Sequence, residues 1–531
     1  MDAALEKRLK RQVIGKPHRF LAVVPLGFEQ TLVEELKSVG IETVADAADA
    51  AGQFRIVGDG KVEFTAKIVE AWKAVAYSRI ANRVLMHIAD FKAENFRDLE
   101  KKAAEIPWEL YLRKTAVPLL QRHTEARSAS VSTPSNSELG TGNSLSIHVT
   151  CKHSRLYHSA AIAERLYKVI EESFDGPAPS HPDAGQDQHS SPERHPDEGQ
   201  DRLLAPGRHP DVGQDRLLAP ERHPDEGQDR HLAPERHPDA GQDRHLATQN
   251  LYVNFLDDRC TLWLDLAGEE LYKRGHERHV NDAPLKETIA AAMLFEASAL
   301  VAAPITLFDL MAGSGTFSLE AAYKANRLIP GACRDFALKH QPAFKEATWK
   351  HIVSSMDSLA PAGLRNDNQN KQARPLAIIT SDISERAVEI IKYNVQSSPL
   401  KEKAPDSIAP KLRDIFSYTA EEITGACPEG SSPAMLLNPP YGKRLDCDAP
   451  ALYAQIGRKL TELARSLDKA GKPLAVAILS PKDFTTNGVK YTCTTNLLQE
   501  CPALDPSKNS KAKRIVTSHG GLTLNAFIAT L

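Results

Sequence analysis

The sequence predicts an α/β protein in which a mixed α+β N-terminal part precedes a doubly wound α/β domain. Three observations carry this. At 531 residues the chain exceeds the size at which one hydrophobic core keeps growing, so two or three domains are expected. From about residue 281, short apolar runs alternate with amphipathic helical stretches, the pattern of a mostly parallel sheet covered on both faces. Before that point, strand and helix patterns also alternate, separated by polar turns.

In chain order, "RFLAVVPLG" (19–27) predicts a strand ending in a turn, and "EQTLVEELKSVG" predicts a helix stopped by Gly40. "GKVEFTAKI" predicts a strand, and "IVEAWKAVAYSRIANRVL" a helix running through 68–85. "NSLSIHVTCKHSRLYHSAAIAERLYKVIEE" gives a strand, a basic turn and an amphipathic helix. In "NLYVNFLDDRCTLWLDLAG" two β-rich stretches flank Asp257-Asp258, a hairpin signal. Further on, "APLKETIAAAMLFEA" starts a helix with Pro284 near its first turn, and "ITLFDLMAGSGTFSLEAAYKA" is strand, glycine-rich bend and helix. "LAIITSD", "AMLLNPP" and "PLAVAILSP" supply strands, while "SERAVEIIKYNV" and "ALYAQIGRKLTELARSL" supply helices.

A tandem repeat of period 14, built on a consensus HPDEGQDRLLAPER, occupies about 181–247 and keeps His181, His195, His209, His223 and His237 in register. Each unit has too few apolar residues to offset backbone ordering, and its prolines forbid a long helix, so a disordered surface loop is expected. Its flanking strands should then pair in one sheet, because loop closure costs little more as a loop lengthens.

Composition excludes several classes. The formal charge of -3 points to no polyanionic partner by itself, so any basic surface is local. Seven cysteines without CxxC spacing argue against a zinc or iron–sulfur site and a secreted disulfide scaffold, and no obligate metal is expected. The charged N-terminus and the lack of a long apolar run argue against export and membrane spanning, leaving a cytoplasmic protein as the expectation.

The chemistry sits in the C-terminal half. In "FDLMAGSGTFSLEAA", Asp309, Ala312, Gly313, Gly315 and Thr316 line a strand-to-helix turn where glycine lets backbone approach a ligand. The spacing is neither GxGxxG nor a P-loop, and a merely tight turn is the alternative. Asp382 follows a strand at its C-terminal end, suited to both hydroxyls of a ribose or to capping the next helix. Asp414 in "KLRDIF" is suited to an adenine edge or to an ordinary turn.

The elbow Asn438-Pro439-Pro440-Tyr441 changes the weights. Methylating an amino group on an aromatic ring requires acceptors that hold its N–H bonds and turn its lone pair toward an electrophile. The Asn438 amide oxygen and the Pro439 carbonyl are fitted for this, Pro440 offers no competing N–H, and Tyr441 supplies a ring for stacking. A rigid strand end with a packed tyrosine is the alternative.

Asp309 to Thr316, Asp382 and "NPPY" together resemble the class I S-adenosylmethionine-dependent amino-methyltransferases. The phrases "VVPLGFEQTLVEEL", "SRIANRVLMHIADF", "DLAGEELYKRG", "APLKETIAAAML" and "IPGACRDFA" resemble, more specifically, the bacterial THUMP-containing large-subunit ribosomal RNA guanine-N2 methyltransferases. The resemblance covers nearly the whole chain except the repeat. It implies a ferredoxin-like module at 15–90, a THUMP RNA-binding domain at 91–265 interrupted by the repeat, and a Rossmann-like methyltransferase domain at 266–531. It also implies S-adenosyl-L-methionine as cofactor, held by Asp309, Ala312, Gly313, Gly315, Thr316, Asp382 and Asp414, with Asn438, Pro439, Pro440 and Tyr441 holding a guanine. The implied partner is large-subunit (23S) ribosomal RNA, naked or in a pre-ribosomal particle.

Cations and rings in "KHSRLYH", "YKRGHERH" and "YGKRL" predict RNA contacts by Lys152, Arg155, Arg274, Arg278, Lys443 and Arg444, and Lys286 in "PLKE" is expected near the cofactor or a phosphate. A solvated face is the alternative for each patch alone. A transfer RNA guanine-N2 methyltransferase shares the same features, and a DNA adenine-N6 methyltransferase shares the elbow. With the chain closing on "GLTLNAFIATL", no second modification activity is expected.

Overall fold

The computed structural model describes residues 2–44, 54–116, 145–175, 249–280, 284–355, 377–441, 448–486 and 489–531. The repeat at 181–247, Lys443 and Arg444 lie outside the described residues.

The N-terminal part is one seven-stranded sheet. Its strands are β1 (Pro17–Val23), β2 (Arg55–Gly58), β3 (Lys61–Lys67), β4 (Arg83–Lys92), β5 (Leu145–Lys152), β6 (Gln249–Leu256) and β7 (Arg259–Asp265), in the order β2-β3-β1-β4-β7-β6-β5. Strand β4 pairs with β1 on one side and β7 on the other, so a boundary at 90 falls within a strand that joins both expected modules. Across the repeat, β5 and β6 pair in parallel from Leu145↔Gln249 to Lys152↔Leu256. The β6–β7 turn places Asp257 and Asp258 at φ 50° and 61°, the two left-handed residues of a tight hairpin turn.

Helices α1 (Ala3–Leu9), α2 (Glu29–Ser38), α3 (Ile68–Tyr77), α4 (Phe96–Ala104) and α5 (Ser159–Asp175) accompany this sheet. Gly40 ends α2 at φ 73°, where its N–H meets the Lys37 carbonyl and that of Ile41 meets Leu36. The helix expected through 68–85 stops at Tyr77. The Glu35 carboxylate takes the Ser78 hydroxyl (2.6 Å) and the Arg79 N–H (2.9 Å), drawing the chain out of the helix before β4 begins.

The C-terminal sheet comprises β8 (Ile305–Asp309), β9 (Ala377–Asp382), β10 (Lys411–Leu412), β11 (Ser432–Leu437), β12 (Ala475–Pro481), β15 (Lys513–His519) and β16 (Leu522–Thr530), ordered β10-β9-β8-β11-β12-β16-β15. A small hairpin of β13 (Phe484–Thr486) and β14 (Val489–Tyr491) follows β12. Strands β10 to β12 are parallel, whereas β16 runs antiparallel between β12 and β15. In β11, Ala434 and Leu436 face one buried cluster and Met435 and Leu437 another, so the strand is apolar throughout because both faces are covered. Among the described residues its longer helices are α6 (Glu287–Ala299), α7 (Thr316–Ala325), α8 (Glu346–Ser355), α9 (Glu385–Gln396), α10 (Ala420–Ala426), α11 (Ala449–Lys469) and α12 (Cys493–Glu500).

One core cluster runs from Phe20, Phe28 and Leu32 into Ile289, Leu307 and Leu436, so the expected modules share an apolar interior. Among the described residues no helix is long and apolar enough to cross a membrane.

Candidate active site

In an open parallel sheet, ligands bind at the C-terminal strand ends where the strand order reverses. Here the reversal lies between β8 and β11, with β9 on the far side of β8. The register Met435↔Phe308 and Asp309↔Thr380 brings Asp309, Asp382 and Asn438 to the same edge on three adjacent strands.

After β8 the chain turns through Ala312, Gly313, Ser314 and Gly315 into α7. Gly313 and Gly315 take φ 55° and 79°, values that side-chain-bearing residues rarely adopt. A Cβ on Gly315 would also come within 3.0 Å of Ile391 on α9. The Ala312 N–H meets the Ser381 carbonyl at 3.1 Å, and the Gly313 N–H donates to Asp382 Oδ2 at 2.8 Å. Asp382 Oδ1 accepts from the Ser384 N–H at 2.9 Å, so this carboxylate braces the turn and the start of α9 at once.

Asp309 is only 1% exposed. Its Oδ2 accepts from the Ser318 N–H (3.1 Å) and hydroxyl (2.7 Å), while its Oδ1 is buried and has no partner among the described residues. Burial, against the two Ser318 bonds and aided by the Asp382 charge, pushes this carboxyl up to about 7. Asp414 takes its turn role, accepting the Phe416 N–H at 3.0 Å. Nearby, the Tyr418 hydroxyl is buried and unpaired, with Arg413 3.8 Å above its ring.

At the end of β11 the Asn438 Oδ1 is likewise buried, without a partner among the described residues. Pro439 is buried and Pro440 half-buried. Tyr441 is half-buried and packs on the apolar core, and burial pushes its hydroxyl up to about 12. Its ring therefore has a structural contact besides any stacking role.

Several cations expected on RNA are committed elsewhere. Arg274 is 5% exposed, its guanidinium donating to Glu320 Oε1 (2.9 Å) and to the carbonyls of Leu271 (2.8 Å) and Arg79 (2.9 Å). It belongs to a buried network with Arg79, Glu320 and Glu35, because a charge removed from water needs a counter-charge. Arg278 pairs with Glu287 and donates to Ser314 Oγ (3.1 Å) and Thr316 Oγ1, holding the glycine-rich turn from outside. Lys286 lies 4.6 Å over the Tyr272 ring and 3.7 Å from Glu270. Arg155 is exposed but engages Glu94 and Asp258, whereas Lys152 stands exposed at the end of β5.

Asn394 on α9 escaped the sequence reading. Its amide accepts the His279 N–H at 2.8 Å and donates to the carbonyls of His279 (2.9 Å) and Ser314 (3.0 Å), stitching the 274–279 segment to the glycine-rich turn. The signal was an asparagine at helical spacing from Ala387 and Ile391 on a buried face, where an amide must find partners.

Comparison with known proteins agrees with this fold. Residues 274–486 match the model of the RMKL-like methyltransferase domain, and residues 19–85 match that of the RlmL ferredoxin-like domain. A ribosomal RNA large subunit methyltransferase K/L of Shewanella oneidensis is 31% identical over 209 residues, covering 39% of this chain and 27% of that protein. The protein of the same name from Shewanella amazonensis is 22% identical over 446 residues, covering 83% of this chain and 47% of that protein. The chain thus spans less than half the length of these relatives. Solved structures share the fold. One was crystallised in complex with SAH (TM-score 0.59, 19% identity, 97% of this chain and 98% of that one). Another, named a "predicted N6-adenine-specific DNA methylase", is from Listeria monocytogenes (TM-score 0.58, 20% identity, 96% of each chain).

Proposed function

We propose that this chain, which carries an RlmL ferredoxin-like domain and an RMKL-like methyltransferase domain, methylates the exocyclic N2 of a guanine in large-subunit ribosomal RNA with S-adenosylmethionine as donor. The observation that carries this is the buried, unpartnered Oδ1 of Asn438 at the switch point of the sheet. An acceptor left unsatisfied costs about 1–3 kcal/mol, a cost offset when a ligand brings an N–H to it. The guanine amino group supplies that donor. The Pro439 carbonyl is the second acceptor, and the ring of Pro440 leaves the next backbone position without an N–H to compete. Held by two acceptors, the amino nitrogen turns its lone pair out of conjugation and toward the turn between β8 and α7.

The residues at that turn fit the donor. Among the described residues Asp309 Oδ1 is a second acceptor without a partner, and Gly313 and Gly315 put no side chain over the turn. When bound, S-adenosylmethionine supplies an electrophilic methyl group on a sulfonium. Asp309 and the 312–316 turn would hold its methionine end, Asp382 its ribose, and the region of Asp414 and Tyr418 its adenine. No strong base is required, because the nitrogen becomes acidic only as it acquires the methyl.

The shared naming of the relatives as large-subunit ribosomal RNA methyltransferases favours RNA over DNA. Such a substrate would place the work in the cytoplasm, on naked RNA or an assembling subunit. In the test, purified chain and labelled donor are incubated with unmethylated large-subunit RNA, transfer RNA and DNA. Label in guanine of the large-subunit RNA supports the proposal, and label confined to transfer RNA or to adenine contradicts it.

A further inference from the structure

S-adenosylmethionine ends in an amino acid, so its methionine end carries an ammonium and a carboxylate beyond the sulfonium. Acidic side chains such as Asp309 and Asp382 suit ammonium and hydroxyl groups, whereas a carboxylate needs N–H or O–H donors. The turn between β8 and α7 has already committed most of its own. The Ala312 N–H meets the Ser381 carbonyl (3.1 Å), the Gly313 N–H meets Asp382 (2.8 Å), and the Gly315 N–H meets the Ala312 carbonyl (2.7 Å). At the start of α7 the Ser318 N–H goes to Asp309 (3.1 Å). Another segment reaches the turn with what is missing.

Arg278, in the segment before α6, sends its guanidinium onto the turn. One terminal nitrogen pairs with Glu287 on α6, and the other donates to Ser314 Oγ (3.1 Å) and to Thr316 Oγ1. These bonds fix the plane of the group. Its Nε is buried and, among the described residues, has no acceptor. The side chain is 11% exposed, so an anion meeting that N–H would do so in a poorly hydrated site, where a charge-assisted bond gains strength. A planar guanidinium also matches a carboxylate better than an ammonium does. The neighbouring cations are engaged away from the turn, Arg274 with Glu320 (2.9 Å) and Lys286 with the Tyr272 ring (4.6 Å) and Glu270 (3.7 Å). Asn394 steadies the arrangement at both ends. Its amide accepts the N–H of His279, next to Arg278 in the chain (2.8 Å), and donates to the carbonyl of Ser314, which Arg278 grips (3.0 Å).

We propose that Arg278 binds the α-carboxylate of the methyl donor through its Nε–H, while its terminal nitrogens hold the turn in place. The guanidinium then serves ligand and scaffold at once, and the pairing with Glu287 keeps it aimed. Three protein bonds and low exposure set it apart from a surface arginine that meets RNA phosphates, the role its basic neighbourhood suggested. The proposal rests on reading the 312–316 turn as the donor site, and it is independent of which base receives the methyl group.

The test is calorimetry on the full chain with two ligands, S-adenosylhomocysteine and its decarboxylated analogue, which keeps the adenosine, sulfur and amine but lacks the carboxylate. The wild type is expected to bind S-adenosylhomocysteine roughly tenfold or more tightly than the analogue, the worth of a hydrogen bond to a charged group. Arg278→Gln should lose that preference, its affinity falling for S-adenosylhomocysteine and changing little for the analogue. Arg278→Lys, which keeps the charge and loses the fork, should show an intermediate preference, and it stands in if the thermal midpoint shows that the glutamine variant does not fold. Equal affinity of the wild type for the two ligands would overturn the proposal. So would a variant that weakens both ligands equally, since Arg278 would then only brace the turn. A wild type that shows the expected ligand preference yet transfers no methyl group to guanine would remove the proposed reaction and leave the carboxylate site standing.

Discussion

Two buried acceptors without partners among the described residues, Asp309 Oδ1 and Asn438 Oδ1, stand at the ends of the neighbouring strands β8 and β11, on either side of the reversal of the C-terminal sheet. Asn438→Ala removes the acceptor proposed for the target amino group, and more than a hundredfold loss of methyl-transfer rate is expected, of the order seen when a positioned hydrogen-bonding group is deleted (about 10²–10³). Donor affinity, read by calorimetry, should hold. Asp309 gives a pH signature. Its folded-state value lies near 7 against an ordinary 3.8, so the folded protein holds this proton more tightly than the unfolded chain. Its contribution to stability is therefore full below about pH 4 and is lost as pH rises toward 7. Asp309→Asn should flatten that part of the fall in thermal midpoint; an identical pH profile in wild type and variant would contradict the assignment. Gly315→Ala meets both a left-handed φ and Ile391, and should cost about 1–2 kcal/mol in denaturant unfolding. Asp309, Gly315 and Asn438 were legible because their motifs sit in a local strand–turn pattern. The fates of Arg274 and Arg278 were not, since the sequence shows a basic cluster but not the distant Glu320 and Glu287 that claim it.

At the scale of elements, the segment from Arg274 to His279 is a strap. It is tied to α7 through Glu320, to the glycine-rich turn through Arg278, and to α9 through Asn394. Glu320→Ala leaves Arg79 and Arg274 buried without their shared counter-charge, and a loss of about 3–5 kcal/mol in unfolding free energy is expected. Glu320→Gln should recover part of it by keeping an acceptor. Elements with local punctuation were readable in advance, as Gly40 and Asp257-Asp258 show. The overrun of the helix past Tyr77 had a non-local cause, because Glu35 intercepts the chain from another helix.

At the scale of the chain, two seven-stranded sheets of described residues share one apolar core. The composition change near 281 located the second sheet but could not show that the interior continues across it. The repeat enters between α5 and β6, whose partner β5 lies before it. Deleting 181–247 should therefore leave the thermal transition and donor affinity in place, and a collapsed transition would mean that the segment supports the sheet. On the proposed function, the residues around Asn438 would select the kind of nitrogen to be methylated. Mass-spectrometric mapping of RNA methylated by the purified chain tests this directly. N2-methylguanosine in large-subunit ribosomal RNA, absent with Asn438→Ala, is the expected product; a methyl group on adenine, or on transfer RNA alone, would contradict the proposed function.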